Sequence, residues 1–221
     1  MAEITVEDVE AGQAIYNKLT LAAYDFWVLG VSNRWVWKCP TEKLLIHFNQ
    51  HISANHLDVG VGTGYFMDRC TFPSDSPRIA LMDMNENSLS ASEKRIQRYK
   101  PTLYQRNILQ KIEFDEKKFE SISLNYVLHC LPGDMSYKCG SIDNLLELVV
   151  EGGVIFGSTI LSSGVPVSGM AKRLMTIYNA QKTFTNRKDS YEQLEAQLQK
   201  RLKQVNIKTY GCVAMFSGYK E

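Results

Sequence analysis

Two kinds of hydrophobic pattern divide the chain near residue 53. Before it, apolar positions such as Val9, Ile15 and Leu19 recur at helical spacing, and Pro40 is placed to open a further helix. After it, short apolar runs alternate with helical stretches, the pattern of βαβ units in a parallel sheet. The predicted strands of this part are 56–59, 78–84, 102–108, 121–128 and 154–161.

The last third of the chain has a different pattern. Residues 170–181 and 190–202 read as helices, and 204–210 and 212–219 read as strands joined by a short turn at Gly211. So short a connection predicts an antiparallel pair, because a parallel pair needs a long crossover. Between the fourth and fifth predicted strands, the pattern of residues 141–150 predicts a helix that Gly152 and Gly153 would terminate.

These patterns predict an α/β fold in one domain. We divide the chain into a helical cap at 1–53, a core at 54–161, a helical insert at 162–203 and a terminal hairpin at 204–221.

Composition narrows the range of partners. The 221 residues carry 25 Lys and Arg against 24 Asp and Glu, a net charge of +1. Nucleic-acid binding normally requires a basic surface, so we expect no nucleic acid as a partner. The sequence leaves the oligomeric state open.

Cysteine usage and the N-terminus bear on the location. The five cysteines are scattered, with no C-x-x-C pair, and no His, Asp or Glu cluster has the spacing of metal ligands. Glu3, Glu7 and Asp8 give an acidic N-terminus, unlike a signal peptide, and the most apolar stretch, 21–31, is shorter than a membrane span. We therefore expect a cytoplasmic protein with no metal and no membrane contact.

The sequence LDVGVGTG at 57–64 is the sharpest motif in the chain. Glycines after a strand let backbone N–H groups approach a ligand closely, although such a cluster can also be only a turn. A dinucleotide-binding loop would place a third glycine at 65, where this chain has Tyr65, and this disfavours an NAD-dependent oxidoreductase. Asp58, two residues before Gly60, suits a ligand that carries a cationic amino group.

Two further polar residues end predicted strands at the same edge of the sheet. Asp83 ends the second strand, where an acid can bind ribose hydroxyls or face a helix N-terminus. Asn107 ends the third, where its amide can accept a bond from an adenine amino group or stabilise a turn. Together with the glycine loop they predict a nucleoside site.

At this point the chain resembles the class I S-adenosylmethionine (SAM)-dependent methyltransferases, from about residue 16 to its end. The resemblance lies in LDVGVGTG (57–64), LMDMN (81–85), FESISLNYVLHCL (119–131) and GGVIF (152–156). It implies a Rossmann-like seven-stranded sheet, order 3-2-1-4-5-7-6 with strand 7 antiparallel and helices on both faces. It also implies transfer of a methyl group from SAM to a small organic acceptor in specialised metabolism. A member of this fold that binds SAM without methylating remains an alternative.

The resemblance also implies roles for individual residues. Asp58 would lie near the methionine portion of SAM, Asp83 would bind the ribose, and Asn125 would lie beside the methyl donor. Three glycines would line the methionine portion and three residues would surround the adenine: Gly60, Gly62, Gly64, Met84, Asn107 and Ile108. The family usually has Asp where Asn107 stands; the neutral amide keeps a hydrogen-bond acceptor for the adenine but carries no charge.

Candidate residues for the acceptor side are less specific. His129, just past the fourth strand, is a candidate general base, although a packed core histidine is commoner in such an apolar stretch. Tyr24, Trp35 and Trp37 are candidate walls of the acceptor pocket, and packing of the helical cap is the alternative for them.

Overall fold

The computed structural model describes residues 25–221, and side chains from residue 29 onward. A π-helical segment, Asp25–Val36, leads into an alternation of helices and strands. The α-helices are α1 (Thr41–His51), α2 (Tyr65–Arg69), α3 (Glu86–Arg95), α4 (Met135–Leu146), α5 (Gly169–Ala180) and α6 (Tyr191–Gln199). The strands are β1 (Asn55–Val59), β2 (Arg78–Asp83), β3 (Thr102–Gln105), β4 (Phe119–Asn125), β5 (Val149–Ile160), β6 (Lys203–Tyr210) and β7 (Val213–Tyr219).

All seven strands form one sheet in the order β3-β2-β1-β4-β5-β7-β6. Strands β1 to β5 are parallel, and β7 runs antiparallel to both β5 and β6. This confirms the predicted fold. In an open α/β sheet of this kind, ligands bind at the carboxyl ends of the strands near the point where the strand order reverses, here between β1 and β4.

Local side chains fix where several helices begin. Asn85 caps α3 by accepting bonds from the N–H groups of Asn87 and Ser88, and Asp134 caps α4 through Tyr137 N–H. Ser190 accepts from Gln193 N–H at the start of α6. In the described part of the chain, no helix has the length and apolarity that crossing a membrane requires.

The prediction of a helix over 141–150 ended by glycine is wrong. Helix α4 begins six residues earlier and ends at Leu146, and Gly152 and Gly153 lie inside β5. Gly152 has φ +74, and the pairing of β4 with β5 shifts register there. The two glycines therefore form an irregularity in a strand, a role that glycine also takes in sheets.

Apolar side chains cover both faces of the sheet. One cluster joins the sheet to α4 and α6, and the other joins it to α1, α2 and α3. A third cluster packs the π-helical segment and α5 against β5 and β7. The π-helical segment and α5 are thereby anchored next to the edge of the sheet at which a ligand is expected.

Candidate active site

A cleft at the carboxyl ends of β1, β2 and β4 consists of two adjoining cavities. The larger, about 130 Å³, lies beside Asp83, and we call it the Asp83 cavity. The smaller, about 40 Å³, lies beside Asp58, and we call it the Asp58 cavity. Four residues line both: Gly60, Gly62, Asn125 and Tyr126. The shared wall makes a single cleft in which Asp58 and Asp83 line different parts, which suits a ligand with two chemically different portions.

The glycine loop forms the floor of this cleft. A side chain at Gly60 is excluded because its Cβ would lie 2.4 Å from Cγ2 of Val127. Gly62 has φ +53, and a Cβ there would meet nothing within 4 Å, so this position leaves open space beside the cleft. Gly64 lies outside both cavities and faces Ser92 of α3. Two of the three glycines therefore face the cleft, and the third serves helix packing.

Asp58 is buried at the bottom of the Asp58 cavity. Ser123 Oγ donates to its carboxyl group, and His56 Nε2 lies 3.0 Å from the same hydroxyl. Burial raises the pKa of Asp58 to about 7; the Ser123 bond opposes this shift and the charge of Asp83 adds to it. A cation bound in this cavity would favour the ionised carboxylate, so the site suits an ammonium group.

Asp83 links the end of β2 to the glycine loop. Its Oδ1 accepts a 2.9 Å bond from Asn85 N–H. Burial raises its pKa to about 6, and hydrogen bonds from backbone amides, including those of Val61 and Gly62, oppose the shift. The carboxyl group also lines the Asp83 cavity, where it can accept hydrogen bonds from paired hydroxyls such as those of a ribose.

The far end of the Asp83 cavity has apolar walls. Met84 and Ile108 both line it, and side chains of this kind suit the faces of a flat base. Asn107 also lines it, but its Oδ1 accepts a 2.9 Å bond from Leu109 N–H. The amide oxygen of Asn107 is thus engaged in a turn, which was the alternative considered for it.

The end of β4 separates the two cavities. Asn125 Oδ1 accepts a 3.1 Å bond from Ser158 Oγ. Its Nδ2 is buried and has no hydrogen-bond partner among the described residues. Buried donors are almost always paired, so an unpaired one in a cleft wall is best explained by a ligand that completes it.

His129 lies behind the cleft wall. It is 3% exposed, its Nδ1 accepts a bond from Ile160 N–H, and its ring packs edge-on against Phe184 with centroids 4.4 Å apart. Burial lowers its pKa to about 3, and the charge of Lys138 adds to the effect. The neighbouring Cys130 and Leu131 line the Asp83 cavity, whereas His129 does not.

The structure does not bring the candidate residues Trp35 and Trp37 to the cleft. Trp37 is 2% exposed and packs against Phe184, and Trp35 is 61% exposed with Lys38 Nζ over its ring. Neither lines the Asp58 or the Asp83 cavity. Tyr24 lies outside the described residues.

Sequence reasoning missed Tyr126 and Ser123. Tyr126 lines both cavities and has φ +59, a backbone conformation that its residue type gives no reason to expect. Ser123 became visible only as the partner of Asp58 on the adjacent strand. Pairing between β1 and β4, which brings Asp58 opposite Ser123, was the signal that could have found it.

Comparisons with known proteins agree with this geometry. A family profile described as a methyltransferase domain matches residues 57–156. Demethylluteothin O-methyltransferase of Streptomyces thioluteus is 35% identical over 96% of this chain and 93% of its own length. The physcion biosynthesis cluster O-methyltransferase of Aspergillus chevalieri is 33% identical over 96% of each chain. Among solved structures, the N-methyltransferase NodS of Bradyrhizobium japonicum in complex with S-adenosylhomocysteine (SAH) superposes with a TM-score of 0.62, at 16% identity, over 96% of this chain and 98% of that one.

The chain belongs to the SAM-dependent methyltransferases. Its cofactor is SAM, and it is an enzyme that transfers a methyl group to a small organic acceptor. The residues of the cleft fit this cofactor, because the space beside Gly62 and the buried carboxyl groups of Asp58 and Asp83 suit its methionine and ribose portions.

Proposed function

We propose that the protein is an O-methyltransferase that methylates a hydroxyl group of a small, largely apolar molecule of specialised metabolism. Two of its relatives, at 35% and 33% identity over almost the whole chain, are named as O-methyltransferases. One of these names places its protein in a biosynthetic gene cluster. These names support the reaction and the kind of metabolism, and the cleft supports the acceptor chemistry.

We place the acceptor against the residues that follow β4, most of which are apolar. Beyond Asn125 and Tyr126, this part of the wall of the Asp83 cavity contains Val127, Leu131 and Pro132. Such a wall favours a ring system or alkyl chain over a highly charged acceptor. Cys130 is also there, but burial raises the pKa of its thiol to about 12, so it adds no charge at neutral pH.

The Nδ2 donor of Asn125, which has no partner among the described residues, is the observation that favours oxygen as the methylated atom. An oxygen nucleophile has enough lone pairs to accept a hydrogen bond and still attack the methyl group. A neutral amine has one lone pair, and methylation consumes it. An N–H donor beside the methyl donor therefore favours an oxygen acceptor and would orient it.

The cofactor roles follow from position. SAM supplies a methyl group activated by its sulfonium. Asp58 would pair with the ammonium group, Gly60 and Gly62 would lie along the methionine portion, and Asp83 would accept from the ribose. Met84 and Ile108 would contact the adenine.

A cytoplasmic location is part of the proposal. All five cysteines are free and are buried or partly buried, and burial raises the pKa of each thiol to about 12, so these thiols are unreactive and form no disulfide framework. We also propose that the enzyme acts without nucleic acid, since the charge balance gives no basic surface.

The test uses SAM with a deuterated methyl group and pairs of bicyclic aromatics that differ only in carrying a hydroxyl or an amino group. We expect the hydroxyl member of each productive pair to gain the labelled methyl on oxygen, detected by mass spectrometry and NMR. Asn125→Leu should lower kcat/KM for it at least tenfold while SAH affinity stays within about twofold. Equal or faster methylation of the amino member would overturn the proposal.

A further inference from the structure

The π-helical segment contributes to the wall at one end of the cleft. Leu29 of this segment lines the Asp58 cavity together with Asp58, Gly62 and Thr63. This is the end at which the methionine portion of SAM fits, whereas none of the segment's residues with described side chains, 29–36, lines the Asp83 cavity. Whatever holds the segment in place therefore acts on one end of the cofactor.

A chain of side-chain hydrogen bonds ties this segment to the end of β4. Tyr126 Oη donates to Asn33 Oδ1 at 2.8 Å, and Asn33 Nδ2 donates to Thr41 Oγ1 at 2.9 Å. Thr41 Oγ1 in turn donates to the carbonyl oxygen of Leu29. Asn33 is fully buried, so both of its amide atoms need partners, and both have them.

Tyr126 is held in an unusual conformation at the other end of this chain. Its φ is +59, which a bulky residue adopts only when its surroundings impose it. Its N–H donates to Ser158 O at 2.8 Å, and the next residue, Val127, presses against Gly60 of the glycine loop. The turn at Tyr126 thus contacts the glycine loop on one side and the π-helical segment on the other.

We propose that Tyr126 is a positioning residue whose hydroxyl, acting through Asn33, holds the π-helical segment over the methionine end of SAM. Tyr126 lines the cleft, and its hydroxyl donates to Asn33, which lines neither cavity. This inference does not depend on which acceptor atom is methylated. It predicts that removing the hydroxyl weakens binding of the methionine portion and leaves binding of the nucleoside portion unchanged.

Tyr126→Phe tests this with two probes, SAH and adenosine, by calorimetry on the full chain. We expect the Kd of SAH to rise about tenfold, the size that follows from leaving a buried acceptor unpaired, and the Kd of adenosine to stay within about twofold. Hydrogen exchange at residues 29–36 should become faster in the SAH complex, while exchange in β1, β4 and β5 is unchanged. Tyr191→Phe is the matched control, since Tyr191 Oη donates to Glu195 at 3.1 Å on α6, and it should change neither Kd.

Thr41→Val tests the same chain from its other end, without altering β4. It should also raise the Kd of SAH and leave that of adenosine unchanged. In the double variant Tyr126→Phe with Asn33→Ala, the loss should not exceed that of Asn33→Ala alone, because both act through one contact. Equal weakening of SAH and adenosine, unchanged SAH binding, or fully additive losses would each overturn the proposal.

Discussion

At the scale of single residues, the carboxyl group of Asp58 is buried in the empty cleft but must be ionised to pair with an ammonium group. Burial raises its pKa from 3.8 to about 7, so its ionisation costs folding free energy in the absence of ligand. The unfolded chain releases this proton at lower pH, so the contribution of Asp58 to stability is lost as pH rises from about 4 to 7. Ligand binding opposes this loss by supplying the positive charge.

Because the pKa of Asp58 is raised, we expect cofactor binding to depend on pH. With a pKa of about 7, the ionised fraction falls about tenfold between pH 8 and pH 6, and the affinity for SAH should fall by up to that factor through Asp58. Asp58→Asn should lower SAH affinity at pH 8, flatten most of this pH dependence, and raise the melting temperature of the free protein at pH 8. Calorimetry and thermal unfolding between pH 6 and 8 measure both. A parent affinity that is independent of pH would contradict the assignment.

Asp83 should act at the other end of the cofactor. Asp83→Ala removes the acceptor for the ribose hydroxyls, and charge-assisted hydrogen bonds of this kind are each worth about 1.5–3 kcal/mol. The affinity for SAM should fall at least tenfold. Because the ribose is common to both ligands, adenosine affinity should fall by a similar factor, whereas Asp58→Asn should leave adenosine unaffected. Loss of SAM affinity alone would show that Asp83 acts only by holding the glycine loop.

At the scale of elements, the sequence predicts the positions of the strands better than the positions of the segments that follow them in the chain. The period of the apolar runs and the tight turn at Gly211 predict the strands and their directions, whereas the order of the strands in the sheet is implied by the resemblance to the methyltransferase family. The same local pattern misplaces α4. The capping bond from Tyr137 N–H to Asp134 is a local signal that the apolar period overlooks, whereas the strand role of Gly152 depends on the register shift between β4 and β5.

The residues of the candidate site also differ in how well the sequence predicts them. Gly60, Asp83 and Met84 come from motifs in which neighbours in sequence are neighbours at the cleft, and the structure brings them together there. The side-chain environment of His129 is set by residues 30 and 55 positions away, Thr159 and Phe184. The hydrogen bond of Tyr126 to Asn33 spans 93 positions. Single-sequence patterns hold no record of such distant contacts.

The loop after β4 provides a prediction at this scale. If His129 acts only in packing, His129→Asn should leave turnover per folded molecule within about twofold and leave SAH affinity unchanged, while the melting temperature falls. A general base would instead cost about 10²–10⁴-fold in turnover. Enzyme assays normalised to folded protein distinguish the two.

The pH dependence of stability gives an independent check on His129. Its folded-state pKa of about 3 is below the ordinary 6.5, so its contribution to stability is complete above pH 6.5 and is lost as pH falls toward 3. The difference in unfolding free energy between the parent and His129→Asn should therefore shrink by about 1.4 kcal/mol per pH unit below 6.5. A difference that is constant with pH would show that His129 is solvated.

At the scale of the whole molecule, one buried ion pair joins the helical insert to the core. Lys138 of α4 and Asp189, just before α6, are both almost fully buried, with Lys138 Nζ 2.6 Å from Asp189 Oδ2 and 3.0 Å from the carbonyl oxygen of Thr185. The same loop donates from Thr185 N–H to His129 O and from Asn186 Nδ2 to Ile160 O. The ion pair therefore supports the segment behind the wall of the cleft.

Removing one partner of this ion pair should lower the free energy of unfolding strongly, whereas replacing both partners with apolar side chains should lower it much less. Lys138→Met leaves Asp189 buried without a counter-ion, and its other oxygen already has no partner among the described residues, so the free energy of unfolding should fall by about 3–5 kcal/mol. Removing both charges in Lys138→Met with Asp189→Leu should recover most of that loss, because desolvation offsets much of the attraction in a buried pair. Urea unfolding of the parent, the single variants and the double variant measures the coupling. If the double variant is as unstable as Lys138→Met, the segment depends on the shape of these two side chains and not on their charge.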